Sequence, residues 1–496
     1  VTEWARALAA LSPRQRARFD HLVRKNGDPT DISPISSAQK RIWLVERFGT
    51  AGITFHATVP LSIKGSLDHE ILERSVGTVV SRHEALRTTF PVIGDTPMQV
   101  VWPPPPTGRI DIPITDRATA DGERPSEAAV QALLAEELHR PLDLAGGPLF
   151  RARLFRLAPD ASILMFSVHH IVFDEPSSLI LLDELTALYT AFADGGEDPL
   201  PPLRWQYADF ARWQNGERFE RELAYWRRRL GDPPPALDLP TDHPRPKLPS
   251  YEAGQIEVVL PAAVRDRLLH LARAEKSTMF MTLLAVFGCL LCRYSGRPEV
   301  LIGTPMAARE RAETRRLIGA FINILALRVD TAEDPTFREL LARVRETSLG
   351  AYSHQGLPFE RVVEMVNPRR ENSRGPLVQA ALVLWNGRPR HLKVPGAVLE
   401  PMRLGTGTVQ QYDVALLLDS EPSALRGELR YSRALFEPDT ARGMVADFQT
   451  ILHGAIDDAD RPISLLPAPA FQHRHRQRTA TGEGAPHEKR SDRRPA

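Results

Sequence analysis

Cysteine is nearly absent from this chain: two residues in 496, Cys289 and Cys292, cannot build a disulfide framework. An excess of one charge is missing as well. The 63 Lys and Arg against 62 Asp and Glu leave a formal net charge of +1, which excludes a globally basic nucleic-acid binder and a strongly acidic disordered chain. No apolar run approaches the roughly 20 residues of a membrane-spanning helix. The opening Val1-Thr-Glu-Trp-Ala-Arg carries charge where a signal peptide needs an apolar core. The expectation is a soluble, cytoplasmic protein with neither nucleic acid nor membrane as a partner. Val1, read as a literally translated start codon, adds the expectation of a free-standing chain.

What is present is an ordinary globular composition, 42% hydrophobic and 25% charged, at a length that predicts two to four domains. Residues 1–30 hold two short amphipathic helical stretches broken at Ser12-Pro13, a linker or docking segment that must pack on something larger. Strand-like runs at 149–157 and 162–170 flank a Pro-Asp turn, and 177–193 has helical period with Ser177 as its expected cap. The stretch 201–250 is rich in proline, with a helix at 217–230 inside it. Beyond it the alternation restarts: strands at 255–260, 299–304, 320–329, 377–385 and 413–419, helices at 262–274, 277–294, 336–349 and 437–455. The fold class is therefore α/β, with one lobe over 31–200, a crossover over 201–250 and a second lobe over 251–470. Residues 471–496 read as a disordered basic tail.

The segment Ser167-Val-His169-His170-Ile-Val-Phe-Asp174-Glu175 carries the most chemistry. Neighbouring side chains on a strand point to opposite faces, so His169 and His170 cannot do the same job. One faces a cleft, the other the core or a backbone partner. Imidazole takes or holds a proton near neutral pH. Taken alone, the pattern equally describes two hydrogen-bonded core histidines at a strand end. A metal site is disfavoured because adjacent strand residues diverge and no third ligand is spaced for it. A serine hydrolase would need a GxSxG elbow, which the chain lacks.

Other segments settle the matter. The double-histidine segment resembles the HHxxxDG motif of condensation domains of nonribosomal peptide synthetases, within the chloramphenicol-acetyltransferase-like superfamily. Six further segments resemble that family's motifs, in order: Ile35–Leu44, Arg82–Phe90, Tyr207–Trp213, Ile318–Asn323, His354–Glu360 and Ser373–Leu377. The resemblance runs from about residue 32 to 465. It implies two acetyltransferase-like α/β-sandwich lobes in a V, with a tunnel between them. Carrier proteins would dock at its two mouths and insert phosphopantetheine arms, and the enzyme itself would hold no cofactor. The reaction implied is transfer of a thioester-bound acyl or aminoacyl group to an amine or hydroxyl, forming an amide or ester in antibiotic or other secondary metabolism.

By motif position His170 would position or deprotonate the nucleophile, with His169 beside it. Asp174 would be the structural acid, and Arg309 is the candidate partner from the other lobe. Ser177 and Asn323 are expected to support the site, Asn323 by ordering the lobe interface. Tyr412 and Asp413 are expected to line the acceptor side of the tunnel. The chain departs from the motif at Glu175, where the family has glycine, and at Pro176. Glu175 either turns to solvent, attracts a cationic acceptor or raises the proton affinity of His170, or obstructs the tunnel. The alternatives are a CoA-dependent acyltransferase of the same superfamily and a catalytically degenerate recruitment platform. An epimerisation domain shares HHxxxD, but the later motifs look condensing. The heterocyclising DxxxxD is absent. Cys289 and Cys292 have CxxC spacing inside an apolar helix and are expected as a buried pair. A monomer is expected, since the two lobes bury each other.

Overall fold

The computed structural model describes residues 11–48, 55–118, 125–231, 234–247, 250–366, 374–385, 391–402, 411–421 and 423–468. The expected basic tail, the first helical stretch and Ser373 lie outside them. In the first half the elements are α1 (Pro13–Asn26), β1 (Asp31–Pro34), α2 (Ser37–Phe48), β2 (His56–Gly65), α3 (His69–Arg82), β3 (Thr88–Thr89), β4 (Val92–Ile93), β5 (Thr96–Val101), β6 (Ile114–Asp116), α4 (Glu127–Leu138), β7 (Phe150–Ala158), β8 (Ala161–His169) and α5 (Glu175–Ala193). The crossover supplies α6 (Tyr207–Gly216) and α7 (Glu220–Leu230). The second half holds β9 (Ala253–Pro261), α8 (Ala262–Ala274), α9 (Met279–Ser295), β10 (Glu299–Ala307), β11 (Ile322–Asp330), α10 (Phe337–Tyr352), α11 (Phe359–Val366), β12 (Ala380–Trp385), β13 (Leu392–Val394), β14 (Ala397–Pro401), β15 (Val414–Ser420), β16 (Ala424–Ser432) and α12 (Pro438–Asp457).

Each half is organised on a six-stranded sheet. The first runs β13-β14-β2-β8-β7-β6 and the second β11-β10-β12-β15-β16-β9. The hairpin β13–β14, which the sequence reading assigns to the second lobe, pairs antiparallel with β2 of the first, Ala397 opposite Gly65. Strand periodicity carries no information about which sheet a hairpin joins. The crossover likewise divides: Tyr207, Phe210 and Ala211 of α6 belong to the core of the first half, and Trp226 and Leu230 of α7 to that of the second. Conversely, Leu317, Ile318, Ala320 and Phe321 leave the second half to fill the first core. The halves are thus joined by exchanged apolar segments rather than by a linker alone.

Helix α9 is buried almost along its whole length, as its all-round apolar sequence requires. Cys289 and Cys292 sit there as buried free thiols, pushed up to about 11 and about 12 by burial. No single helix among the described residues is long and apolar enough to cross a membrane. Helix α1 begins where Ser12 accepts from the N–H of Gln15 in a capping box, with Pro13 in the first turn.

Candidate active site

The site is built by an abrupt change of backbone at the end of β8. The strand stops at His169, one residue earlier than the periodicity predicts, and His170–Val172 form a single 3-10 turn. The turn exists because the His169 side chain caps it: Nδ1 accepts from the N–H of Ile171 at 3.1 Å. The N–H of His170 donates to the carbonyl of Phe55 at 2.7 Å, so the turn is held from both sides. Helix α5 then starts at Glu175, two residues before the expected Ser177 cap. Asp174 is the true N-cap, accepting from the N–H of Ser177, and Pro176 occupies the first turn.

The two histidines separate where the strand gives way to the turn. His169 is fully buried, with its ring 5.9 Å from that of His56 and edge-on to it. Burial, with His56 and His170 adding to it, lowers its imidazole to about 3. His169 is therefore a neutral group engaged with backbone, and it shapes the turn that carries its neighbour. His170 is half-buried, and its Nδ1 lies 3.1 Å from the carbonyl of Phe173. A carbonyl only accepts, so Nδ1 holds the proton, and the neutral ring keeps its lone pair on Nε2. Desolvation lowers the His170 pKa, opposed by the Phe173 carbonyl and the Asp174 carboxylate. The ring is thus tuned toward its basic, neutral form.

Asp174 is occupied entirely by structure. Arg309 donates to both of its oxygens, from Nη1 at 2.5 Å and from Nη2 at 2.8 Å. Ser177 donates from its backbone N–H at 3.1 Å and its hydroxyl at 2.6 Å, and the N–H of Phe321 adds a fifth donor at 3.1 Å. The Ser177 hydroxyl in turn accepts from the N–H of Gly319 at 3.1 Å, and the Arg309 guanidinium stacks 4.3 Å above the Phe321 ring. Asp174, Ser177 and Arg309 are thereby one buried knot tying α5 to the segment that follows β10. Beside it the Tyr207 hydroxyl donates to the carbonyl of Ala320 and meets Ser36 Oγ, both at 2.8 Å. Gly319 is obligatory here, since a Cβ would lie 2.0 Å from Cδ2 of Tyr207.

Glu175 is exposed at the first position of α5, the end of a helix that favours an acidic side chain. Asn323 acts within the second half: its amide donates to the carbonyls of Gln355 and Leu357, and its oxygen accepts from the N–H groups of Ile324 and Phe359. That fixes the entry to α11, where Glu360 meets Arg41 of α2 at 3.0 Å across the two halves. Asn323 therefore orders the stretch that brings Glu360 to the interface.

Tyr412 and Asp413 line a cavity of about 280 Å³ together with Arg41, Arg245, Tyr251 and Arg374. Its walls come from α2, the end of the crossover and the second half. Asp413 is bound in a two-pronged ion pair by Arg245, at 2.9 and 2.5 Å, and its carboxylate is committed to that arginine. Arg245 carries no motif in the sequence and is found only through this contact. Neither histidine lines the cavity.

This arrangement, an HHxxxD turn set beside an interlobe Asp–Arg knot on paired six-stranded sheets, defines a protein of the chloramphenicol-acetyltransferase-like fold. The chain belongs to the condensation domain family, whose model, described as Condensation domain, matches residues 30–471. It is 38% identical over 446 residues to a linear gramicidin synthase of Brevibacillus parabrevis, covering 89% of this chain but 6% of that protein. It is also 38% identical over 479 residues to phosphinothricin tripeptide synthetase PhsC of Streptomyces viridochromogenes, covering 93% of this chain and 44% of that protein. The chain thus spans less than half of the length of either relative. Among solved structures it is similar to the X-domain from teicoplanin biosynthesis, with 28% identity and a TM-score of 0.79 over 88% of this chain and 97% of that one. It also resembles the SgcC5 protein from Streptomyces globisporus, with 25% identity and a TM-score of 0.73 over 86% and 100% of the two chains.

Proposed function

We propose that this condensation domain is a competent acyltransferase that moves an acyl or aminoacyl group from the phosphopantetheine thioester of a donor carrier protein to an amine or hydroxyl. The observation that carries this reading is the His170 turn, which leaves a neutral imidazole with its lone pair on Nε2. In the reaction the nucleophile attacks the thioester carbonyl, a C–N or C–O bond forms and the C–S bond breaks. His170 orients the nucleophile and takes its proton, which then leaves with the pantetheine thiolate. One positioned base of this kind is worth about 10²–10⁴ in rate. Glu175, exposed in the first turn of α5, is compatible with turnover, while Tyr412 lines the acceptor side. Carrier proteins are the partners, and phosphopantetheine arrives with them as substrate.

Intact-protein mass spectrometry tests this. A carrier protein loaded as an acyl thioester is incubated with the enzyme and with amine and alcohol acceptors, free and carrier-bound, with acyl-CoA as a parallel donor and His170→Ala as control. Acceptor-dependent loss of the acyl mass that requires His170 is expected. Transfer from acyl-CoA alone would move the assignment to a CoA-dependent acyltransferase. A second reading, a recruiting domain, is favoured by the similarity to the teicoplanin X-domain, for which a complex with OxyB has been solved. Carrier binding without transfer, unrepaired by Glu175→Gly, would select it.

A further inference from the structure

Behind the catalytic turn, on one face of the sheet, four buried side-chain atoms have no hydrogen-bond partner among the described residues: His56 Nε2, Ser167 Oγ, His169 Nε2 and Arg151 Nε. They are neighbours. His56 of β2 stands directly opposite His169 of β8, and Arg151 of β7 stands directly opposite Ser167 of β8. Directly opposed residues share a face, and so do residues two apart on one strand. All four therefore project from the same side of β7–β8–β2, the side that Val130 and Leu134 of α4 cover through Ile163 and Met165.

Their proton inventory is complementary. His56 Nδ1 lies 3.1 Å from the carbonyl of Leu138, at the end of α4, so it carries the proton and Nε2 is an acceptor. His169 Nδ1 accepts from Ile171, so its Nε2 is a donor. Arg151 Nε is a donor and Ser167 Oγ takes either role. Burial holds the His56 pKa down, with Arg151, His170 and His139 adding to it against the Leu138 carbonyl, so the neutral form is the one to consider. The Arg151 charge is met by Glu137 at 3.6 Å, and Glu137 is shared with Arg140 and Arg153. The two rings lie edge to face with centroids 5.9 Å apart, and their Nε2 atoms do not hydrogen-bond to each other. A water with two donors and two acceptors matches this set, and a buried water needs two to four polar partners.

We propose that this face holds ordered water bridging His56, Ser167, His169 and Arg151, and that His56 is thereby a positioning residue for the active site. The bridge locks His169 in the tautomer that caps the Ile171 N–H, and the turn so formed presents His170. Phe55, next to His56, accepts from the His170 N–H, so the end of β2 grips the turn twice.

The test uses the full chain. A high-resolution crystal structure is expected to show water within hydrogen-bond reach of both Nε2 atoms. Long-range 15N–1H spectra of the 15N-histidine protein are expected to place the proton on Nε2 in His169 and on Nδ1 in His56. His56→Leu, which removes the acceptor, is expected to lower kcat for transfer from the carrier thioester about ten-fold, as outer-shell partners of an orienting histidine do, with KM nearly unchanged. His56→Gln, whose carboxamide oxygen accepts again, recovers most of the loss. A dry face, a His169 proton on Nδ1, or a His56→Leu enzyme at wild-type rate each overturns the proposal. Should His56→Leu fail to fold, the wild-type crystal and spectra decide. The kinetic arm rests on the acyl-transfer reading, whereas the crystal and the spectra need no substrate, so failure of one is distinguishable from failure of the other.

Discussion

Asp174 and His170 lie four residues apart on one turn and end in opposite circumstances. Around Asp174 every acceptor site is taken, by two guanidinium nitrogens, two groups of Ser177 and the N–H of Phe321. Around His170 one nitrogen meets a single carbonyl and the other keeps its lone pair. The same motif therefore contains a saturated group, which holds the lobes together, and an unsaturated one, to which the proposed function gives the nucleophile's proton. A carboxylate fixed by five donors cannot also serve as a mobile base, and a ring steadied through one nitrogen can.

Substitution separates the two most sharply at His170. His170→Ala is expected to reduce acyl transfer about 10²–10⁴-fold while leaving the unfolding midpoint near that of the wild type, measured by mass spectrometry and urea titration on the same samples. Asp174→Ala should behave in the reverse manner. It strands the Arg309 guanidinium in the interface and is expected to cost about 3–5 kcal/mol of stability in denaturant unfolding. The double variant Asp174→Ala/Arg309→Ala should cost less than the sum of the singles; full additivity would show that the two side chains do not act as a pair.

A smaller effect lies in the pH profile. Because desolvation lowers the His170 pKa, the basic form survives below the ordinary histidine value of about 6.5. The transfer rate should be flat through neutral pH and fall only on acidification past that value. A midpoint above it would show that Glu175 or another acid reaches the ring. His169 adds a stability contribution of matching sign. Its folded-state pKa is depressed to about 3, so its contribution is complete above the unfolded value near 6.5 and is lost as pH falls toward 3. The smallest effect is expected for Glu175→Gly, an exposed first-turn substitution: less than about 1 kcal/mol in stability and a rate within about two-fold of the wild type. A large gain in rate would instead mark Glu175 as an obstruction.

Much of the molecule is legible in its residues, for identifiable reasons. Helices such as 262–274 and strands such as 255–260 follow from apolar period alone, and the structure places them at Ala262–Ala274 and Ala253–Pro261. The pairing of Asp174 with Arg309 follows from motif positions and is present. The start of α5 is not legible, because Ser and Asp both cap helices and only the backbone shows which side chain reaches the third N–H. Nor is the separation of His169 from His170 in role, because a motif does not state burial. Arg245, His56, Ser167 and Arg151 carry no signal, since each acquires its meaning from a residue far away in the chain or across a strand register.

The sequence by itself determined the α/β alternation and the seven ordered motifs, because these depend on residue type and short-range geometry. Tertiary structure alone decided that β13–β14 completes the first sheet, that Leu317–Phe321 fill the first core, and that Asp174 is saturated while His170 is not. Those outcomes depend on which distant donors and apolar surfaces meet once the chain closes on itself, and local pattern carries no record of them.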